Sequence, residues 1–158
     1  MEAGQTDDDP RWLTPDELRT WRSLSLLLAR LPAVLGAQLQ CDANLSFIEY
    51  YVLAGLSDSP DRTMRMSKLA VLTNSELSRM SHLVNRLEKR GLVRREPDPD
   101  DGRSTNAILT DAGYAHLASA APAHVDTVRR SVFDVLTTTE QHALRSIAGK
   151  IIADASDD

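Results

Sequence analysis

Apolar residues recur at steps of three and four along most of the chain, which is the spacing of amphipathic helices. The first stripe follows Thr14, Pro15 and Glu17, an N-cap, a first-turn proline and a capping-box glutamate that together predict a helix start. The stripe comprises Leu18, Trp21, Leu24, Leu28, Leu31 and Leu35. Pro32 is expected to kink this helix near its last turns.

Three further helices are predicted before residue 91. The segment "SFIEYYVLAGL" offers Phe47, Tyr51, Val52 and Leu56 for burial, and "RMSKLAVLTN" forms a short helix with Ser67 as its cap. The next segment, "SELSRMSHLVNRLEKRG", presents one apolar face made of Leu77, Met80, Leu83, Val84 and Leu87, with Ser75 and Ser78 as candidate N-caps. Gly91 fits the left-handed position of a Schellman ending, in which Leu92 folds back on Leu87.

Two short strands, around "LVRRE" and "TNAIL", are separated by the acidic turn "PDPDDGR". A helix then runs from Thr110 to about Leu136, with a bend at Pro122, and Thr137 with Glu140 forms a capping box for a last helix. The fold class is therefore mainly α with a small β-hairpin wing. Two successive helices before a hairpin outline a winged helix-turn-helix.

The domain organisation follows from this order of elements. Residues 1–13 are expected to be a disordered acidic leader, and residues 45–110 to be the winged helix-turn-helix module. Residues 14–40 and 111–155 are expected to form a helical dimerisation region, which makes one compact domain of about residues 14–155. These outer helices carry more Leu, Val and Ile than a small core can bury, so a homodimer is expected.

Charge is unevenly distributed along the 158 residues. The net charge is −5, but residues 62–103 hold ten Arg and Lys against six Asp and Glu, a local net charge of +4. A polyanion responds to this local field rather than to the total. No apolar run of about 18 residues and no signal peptide is evident in the sequence, which predicts a cytoplasmic protein with no membrane partner. Cys41 is the only cysteine, so no disulfide can form within one chain.

The sequence around the hairpin resembles the MarR family of transcriptional regulators, which are homodimeric winged-helix proteins. The resemblance extends from about Leu18 to Ile152, and its specific part is "LVNRLEKRGLVRREPDPDDGRSTNAILTDAG". The matching helix-end residues are Leu83, Val84, Leu87, Glu88, Gly91, Leu92 and Val93. The matching wing residues are Asp101, Arg103, Leu109, Thr110 and Gly113.

The resemblance implies a sequence-specific DNA-binding regulator, acting as a repressor, that binds a pseudo-palindromic operator as a homodimer. Its recognition helix would present Ser78, Arg79, Ser81, His82, Asn85 and Arg86 to the major groove, where Arg can pair with guanine and Asn with adenine. Arg103 would reach the minor groove or flanking phosphates, and Ser67 would meet a phosphate. The turn residues themselves indicate that Asp101 and Gly102 shape the wing turn, since Gly102 permits positive φ and Asp101 can pair with the Arg103 guanidinium. Many relatives carry a second basic residue where this chain has Gly102.

The sequence leaves several alternative functions and sites open. Trp21, Arg22, Tyr50 and Tyr51 could bind a small aromatic or anionic effector, although packing in the core explains the aromatic residues without an effector and is the preferred interpretation. Cys41 could sense oxidants, but Asp42 beside it would oppose a thiolate. No cofactor, metal site or enzyme motif such as GxSxG, GxxxxGK[ST] or HExxH is found, so no enzyme is expected. A winged-helix module that binds proteins rather than DNA is the main competing interpretation.

Overall fold

The computed structural model describes residues 10–154, which fall into two compact units divided between Ala33 and Val34. Most of the predicted leader, residues 1–13, therefore lies outside the described residues. Helix α1, Pro15–Ala43, spans the division between the units. Its predicted capping box is confirmed: the Thr14 amide donates to Glu17 Oε2 at 2.8 Å, and the Glu17 amide donates to Thr14 Oγ1 at 3.3 Å. The helix continues through Pro32 for eleven further residues to Ala43.

By length and composition, α1 could cross a membrane, but the core helix of a soluble protein and an N-terminal signal sequence pass the same test. The sequence prediction counts only uninterrupted apolar residues, whereas a hydropathy averaged over the helix tolerates polar residues such as Ser25, Arg30 and Gln38.

The second unit is built around helix α2, Phe47–Asp58, helix α3, Met66–Leu72, and helix α4, Leu77–Lys89. Their apolar faces share one core, whose most deeply buried side chains include Leu45, Val52, Leu53, Leu56, Leu69, Met80, Val84 and Leu87. One burial prediction is wrong: Tyr51 is 48% exposed, and its ring packs on Phe47 of the same helix. Leu77, the first residue of α4 and a member of its apolar face, is 54% exposed.

The predicted hairpin is confirmed and is extended by a third strand. Strands β2, Val93–Pro97, and β3, Thr105–Leu109, pair antiparallel, with Arg95 opposite Ala107. Strand β1, Thr63–Arg65, lies on the other side of β3, with Arg65 opposite Asn106. The order β1-β3-β2 ties the wing to the start of α3.

Helix α5, Asp111–Val128, continues into a π-helical turn at Arg129–Phe133, and helix α6, Thr138–Asp154, follows. The predicted capping box at Thr137 and Glu140 is confirmed, with the Thr137 amide 2.7 Å from Glu140 Oε2. Helix α6 contains no buried residue within the second unit. Its apolar side chains Leu144, Ile147 and Ile151 are all exposed.

Candidate nucleic-acid interface

Helix α4 has one buried and one solvent-facing side. Met80, Leu83, Val84 and Leu87 are buried, which fixes the rotation of the helix. The opposite side consists of exposed or half-buried polar residues, all of them predicted DNA contacts: Ser78, Arg79, Ser81, His82, Asn85 and Arg86. Neither Ser75 nor Ser78 caps the helix, because Glu76 occupies the N-cap position and makes no capping bond with its side chain. The hydroxyl of Ser78 is therefore not used as a cap.

Arg86 is connected to the body of the module as well as to solvent. Its Nε lies 3.4 Å from Oε1 of Glu49, and Arg90 Nη1 lies 4.0 Å from the other carboxylate oxygen. Glu49 is buried at the start of α2, where it also forms a capping box with Ser46. A buried carboxylate needs such partners. Glu49 thus joins the first turn of α2 to the C-terminal half of α4.

Asn85 is similarly connected to the wing. Arg95 of β2 donates to Asn85 Oδ1 at 3.3 Å and to Glu88 Oε2 at 2.6 Å. The Arg95 side-chain hydrogen bonds hold the pKa of Glu88 below its ordinary value. Arg94, the preceding residue of the strand, pairs with Glu96 instead. The C-terminal half of α4 is therefore held by α2 on one side and by the wing on the other.

The end of α4 and the base of the wing form one hydrogen-bonded joint. Gly91 has φ +73°, and the amides of Gly91 and Leu92 donate to the carbonyls of Glu88 and Leu87, which confirms the Schellman ending. Thr110 Oγ1 then donates to Gly91 O at 2.7 Å and accepts the Gly113 amide at 2.9 Å. A Cβ on Gly113 would lie 2.0 Å from Leu92 O, so only glycine fits. This joint gives the Leu-Thr-x-x-Gly pattern its physical basis.

The wing turn is organised by two carboxylates. Asp98 is 6% exposed and accepts Arg65 Nε at 2.6 Å together with the amide of Asp100 at 2.9 Å. Asp101 accepts the Ser104 hydroxyl at 2.8 Å and the backbone amide of Arg103 at 3.1 Å. These bonds lower the pKa of both carboxyls, chiefly through Arg65 for Asp98 and Ser104 for Asp101.

Two details of the predicted turn are wrong. Asp101 binds the backbone amide of Arg103 rather than its guanidinium, because its second oxygen is taken by Ser104. Gly102 does not adopt positive φ, since the hydrogen bonds to Asp98 and Asp101 close the turn without it. A Cβ at Gly102 would meet no atom within 4 Å, so this position is open to solvent.

A surface cleft separates α4 from the wing. Its lining includes three arginines and three serines: Arg65, Arg95, Arg103, Ser67, Ser81 and Ser104. Ser67 lies in this cleft but does not cap α3, whose N-cap is Arg65. Within residues 10–154, Arg103 makes no ion pair and is exposed. Guanidinium and hydroxyl groups arranged in this way suit phosphate oxygens.

The predicted effector residues are not gathered into a described pocket. Tyr50 is half-buried with its ring centroid 4.3 Å from that of His124, and Tyr51 packs on Phe47 at 4.7 Å. Burial raises the pKa of Tyr50. Trp21 and Arg22 are exposed and belong to the first unit, which is described separately.

The other candidate reactive groups are also dispersed. Cys41 is an exposed free thiol. Among residues 10–154, no group of three or more His, Cys, Asp or Glu side chains could hold a metal ion. His116 lies 2.8 Å from the carbonyl of Ala43, and His124 lies 3.1 Å from Gln38 Oε1.

Sequence reasoning missed Glu49 and Arg65 as ion-pair partners of residues at this surface. The Ser46-x-x-Glu49 spacing could have revealed the capping box of α2. The pairs Arg65–Asp98 and Arg86–Glu49 join residues 33 and 37 positions apart, for which spacing gives no indication.

Comparison with known proteins agrees with this geometry. A model of the MarR family matches residues 43–104. The transcriptional regulator HosA of Escherichia coli O111:H- is 33% identical over 110 residues, which cover 69% of this chain and 78% of HosA.

Two solved structures from Streptomyces coelicolor, both of MarR family transcriptional regulators, are similar over most of the chain. Sco3205, in complex with DNA, has a TM-score of 0.88 and 46% identity over 94% of this chain and 92% of that one. AbsC has a TM-score of 0.90 and 35% identity over 94% of this chain and all of its own. The chain belongs to the MarR family and is a DNA-binding regulator of transcription.

Proposed function

We propose that this chain acts as a homodimeric repressor that binds a pseudo-palindromic operator, with α4 in the major groove and the wing beside the minor groove. The observation that carries the proposal is the unburied polar side of α4 next to Arg103, whose guanidinium makes no ion pair within residues 10–154. In a two-fold dimer, the two recognition helices would enter grooves about 34–36 Å apart.

Base reading is proposed for the N-terminal half of α4. Arg79 and His82 are exposed and make no ion pair within residues 10–154. Asn85 and Arg86 already bind Arg95 and Glu49, so reaching a base would cost them those contacts. We therefore assign Arg79 and His82, with Ser78 and Ser81, to base edges, and Asn85 and Arg86 to positioning and phosphate contact.

The dimer is supported by exposed apolar side chains on the outer helices of each unit. Leu26, Leu27 and Leu28 are about half exposed in the first unit, as are Val125, Ile147 and Ile151 in the second. Apolar surface left in contact with water favours association with a second copy.

We propose repression rather than activation of transcription, because blocking a promoter requires only DNA binding. The cytoplasm, where bacterial DNA lies, is the proposed location. Release by a small aromatic or anionic effector is proposed from the family resemblance alone, with Tyr50 and Tyr51 as its contacts in the second unit. Such an effector would act by favouring a dimer whose two DNA-binding modules are wrongly spaced.

The test is DNA binding as a function of salt, using the DNA upstream of the chain's own gene. Arg79→Ala should cost about 1–3 kcal/mol and relax specificity at one base pair. Arg103→Ala should reduce the salt slope by about 1, and Gly102→Arg, which adds a cation in open space, should steepen it by about 1.

Arg129→Ala is the matched control, because it removes the same charge from a surface pair with Asp134 outside this face. The absence of a specific complex at about 50–100 mM salt would contradict operator binding and favour the protein-interaction alternative. Equal losses in Arg79→Ala and Arg129→Ala would contradict the assignment of Arg79 to a base.

A further inference from the structure

The wing turn carries Asp98, Asp100 and Asp101, which should repel DNA phosphates. Asp98 differs from Asp100 in its surroundings: it lies between Pro97 and Pro99 and is 6% exposed, whereas Asp100 is exposed. Asp98 accepts two backbone amides of the turn, from Asp100 and Asp101, and its own amide donates to Ser104 O at 2.9 Å. Asp98 therefore organises the turn from within.

The second oxygen of Asp98 is bound from outside the wing. Arg65, the last residue of β1 and the N-cap of α3, donates its Nε to Asp98 Oδ2 at 2.6 Å. The hydrogen bond raises the pKa of Arg65 and lowers that of Asp98, as expected of a charge-assisted pair. The turn is thus fixed to the helix-turn-helix and not only to its own strands.

The same hydrogen-bonded chain ends at Arg103. Asp98 holds the Asp101 amide at 3.3 Å, and Asp101 in turn holds the backbone amide of Arg103 and the hydroxyl of Ser104. The Arg103 side chain itself is exposed and forms no ion pair among the described residues. The turn therefore fixes the backbone of Arg103 and leaves its guanidinium available.

We propose that Arg65 and Asp98 are positioning residues for DNA binding, which hold the wing turn so that Arg103 is presented to the DNA. The proposal rests on the wing contact proposed above. It assigns the effect of Asp98 to placement and not to charge.

An effect of Asp98 through its charge and an effect through placement of the turn would change the DNA affinity in opposite directions. If only charge mattered, removing the Asp98 carboxylate would strengthen DNA binding, because one repulsive charge is lost and Arg65 is freed to meet a phosphate. If placement matters, the same change weakens binding, because Arg103 loses its fixed backbone. Asp100→Ala is the matched control, since it removes an equal charge from the same turn without a described side-chain bond.

The experiment measures the DNA affinity of the full chain over a salt series, with thermal unfolding as a check on folding. Asp98→Ala and Arg65→Ala should each weaken binding about five- to thirtyfold, and Asp98→Ala should reduce the salt slope by about 1. Asp100→Ala should bind as tightly as the wild type or more tightly. Asp98→Asn keeps an acceptor for the turn amides and should therefore lose less DNA affinity than Asp98→Ala. It replaces Asp98→Ala in the experiment if that variant fails to fold.

A double-mutant cycle with Arg103→Ala separates this proposal from the wing contact itself. In the Asp98→Ala background, Arg103→Ala should have little further effect, because both changes remove the same contact. Additive losses, or tighter binding by Asp98→Ala, would overturn the positioning role and leave the wing contact standing. No effect of Arg103→Ala in the wild-type background would overturn both.

Discussion

At the scale of single residues, His124 is a buried imidazole whose protonation would oppose folding. It is 6% exposed, its ring packs at a tilt of 49° against Tyr50 of α2, and its Nδ1 lies 3.1 Å from Gln38 Oε1 of α1. Burial lowers its pKa, because the imidazolium would lose its hydration without gaining a carboxylate in return. The folded chain therefore favours neutral His124.

This preference predicts a loss of stability in mild acid. With the folded-state pKa below the ordinary value of about 6.5, the unfolded chain takes up the proton first as pH falls. Stability should be unaffected above about pH 7 and should fall below about pH 6.5, by no more than about 1.4 kcal/mol per pH unit from this residue. Urea unfolding at several pH values measures it.

His142→Gln, at an exposed position of α6, is the control and should leave this pH dependence unchanged. His124→Gln should abolish the pH dependence of stability between the folded-state pKa and the unfolded-state pKa of His124. An identical pH profile in His124→Gln and the wild type would show that another group is responsible.

At the scale of elements, the joint between α4, the wing and α5 depends on Gly113. The first turn of α5 passes so close to Leu92 that a Cβ at residue 113 would lie 2.0 Å from a backbone oxygen and 2.7 Å from Leu109 Cδ1. The Leu92 oxygen belongs to the backbone, so it cannot move aside as the end of a flexible side chain can. The close approach of α5 to the connection between α4 and β2 therefore requires glycine at residue 113.

Gly113→Ala should lower the free energy of unfolding by about 1–3 kcal/mol, through overpacking. Gly149→Ala is the matched control, because a Cβ there meets nothing within 4 Å and alanine favours a helix. Denaturant unfolding of both variants measures the difference. A Gly113→Ala variant as stable as the wild type would mean that α5 can move away without cost.

The joint also shows which features were predictable from sequence. Capping boxes, the Schellman ending and the hairpin depend on residues within a few positions of one another, so their spacing reveals them. Strand β1 was missed because three residues, Thr63–Arg65, carry too little alternation and take their place only by pairing with β3.

The side chains of the candidate site were only partly predictable. The periodicity of α4 correctly identified its polar side, because burial of Met80, Leu83 and Leu87 sets the rotation. It could not show that Asn85 and Arg86 are held by Arg95 and Glu49, since those partners come from other elements. Long-range ion pairs depend on the tertiary structure and leave no local pattern.

At the scale of the whole molecule, the apolar side of α6 is the surface that most clearly lacks a cover within its unit. Ile147 is 55% exposed, and Leu144 and Ile151, one turn away on either side, are exposed with it. Ser146 lies about 100° around the helix from Ile147, outside the apolar side. We expect the apolar side to be covered by a second copy.

Ile147→Glu should therefore shift the chain to monomers in sedimentation and weaken operator binding, because a charge would be buried at the interface. Ser146→Glu introduces the same charge on the polar side and should leave the dimer intact. Unchanged sedimentation of Ile147→Glu would place the interface elsewhere.

If the exposed side of α6 forms the dimer interface, operator occupancy depends on the cellular concentration of the protein itself. If two copies must meet before two recognition helices act on one operator, the amount of competent protein grows with the square of the protomer concentration while protomers predominate. Halving synthesis would then cut operator occupancy about fourfold in that regime. Gene dosage and proteolysis would therefore change transcription from the regulated promoter, as any small-molecule effector would.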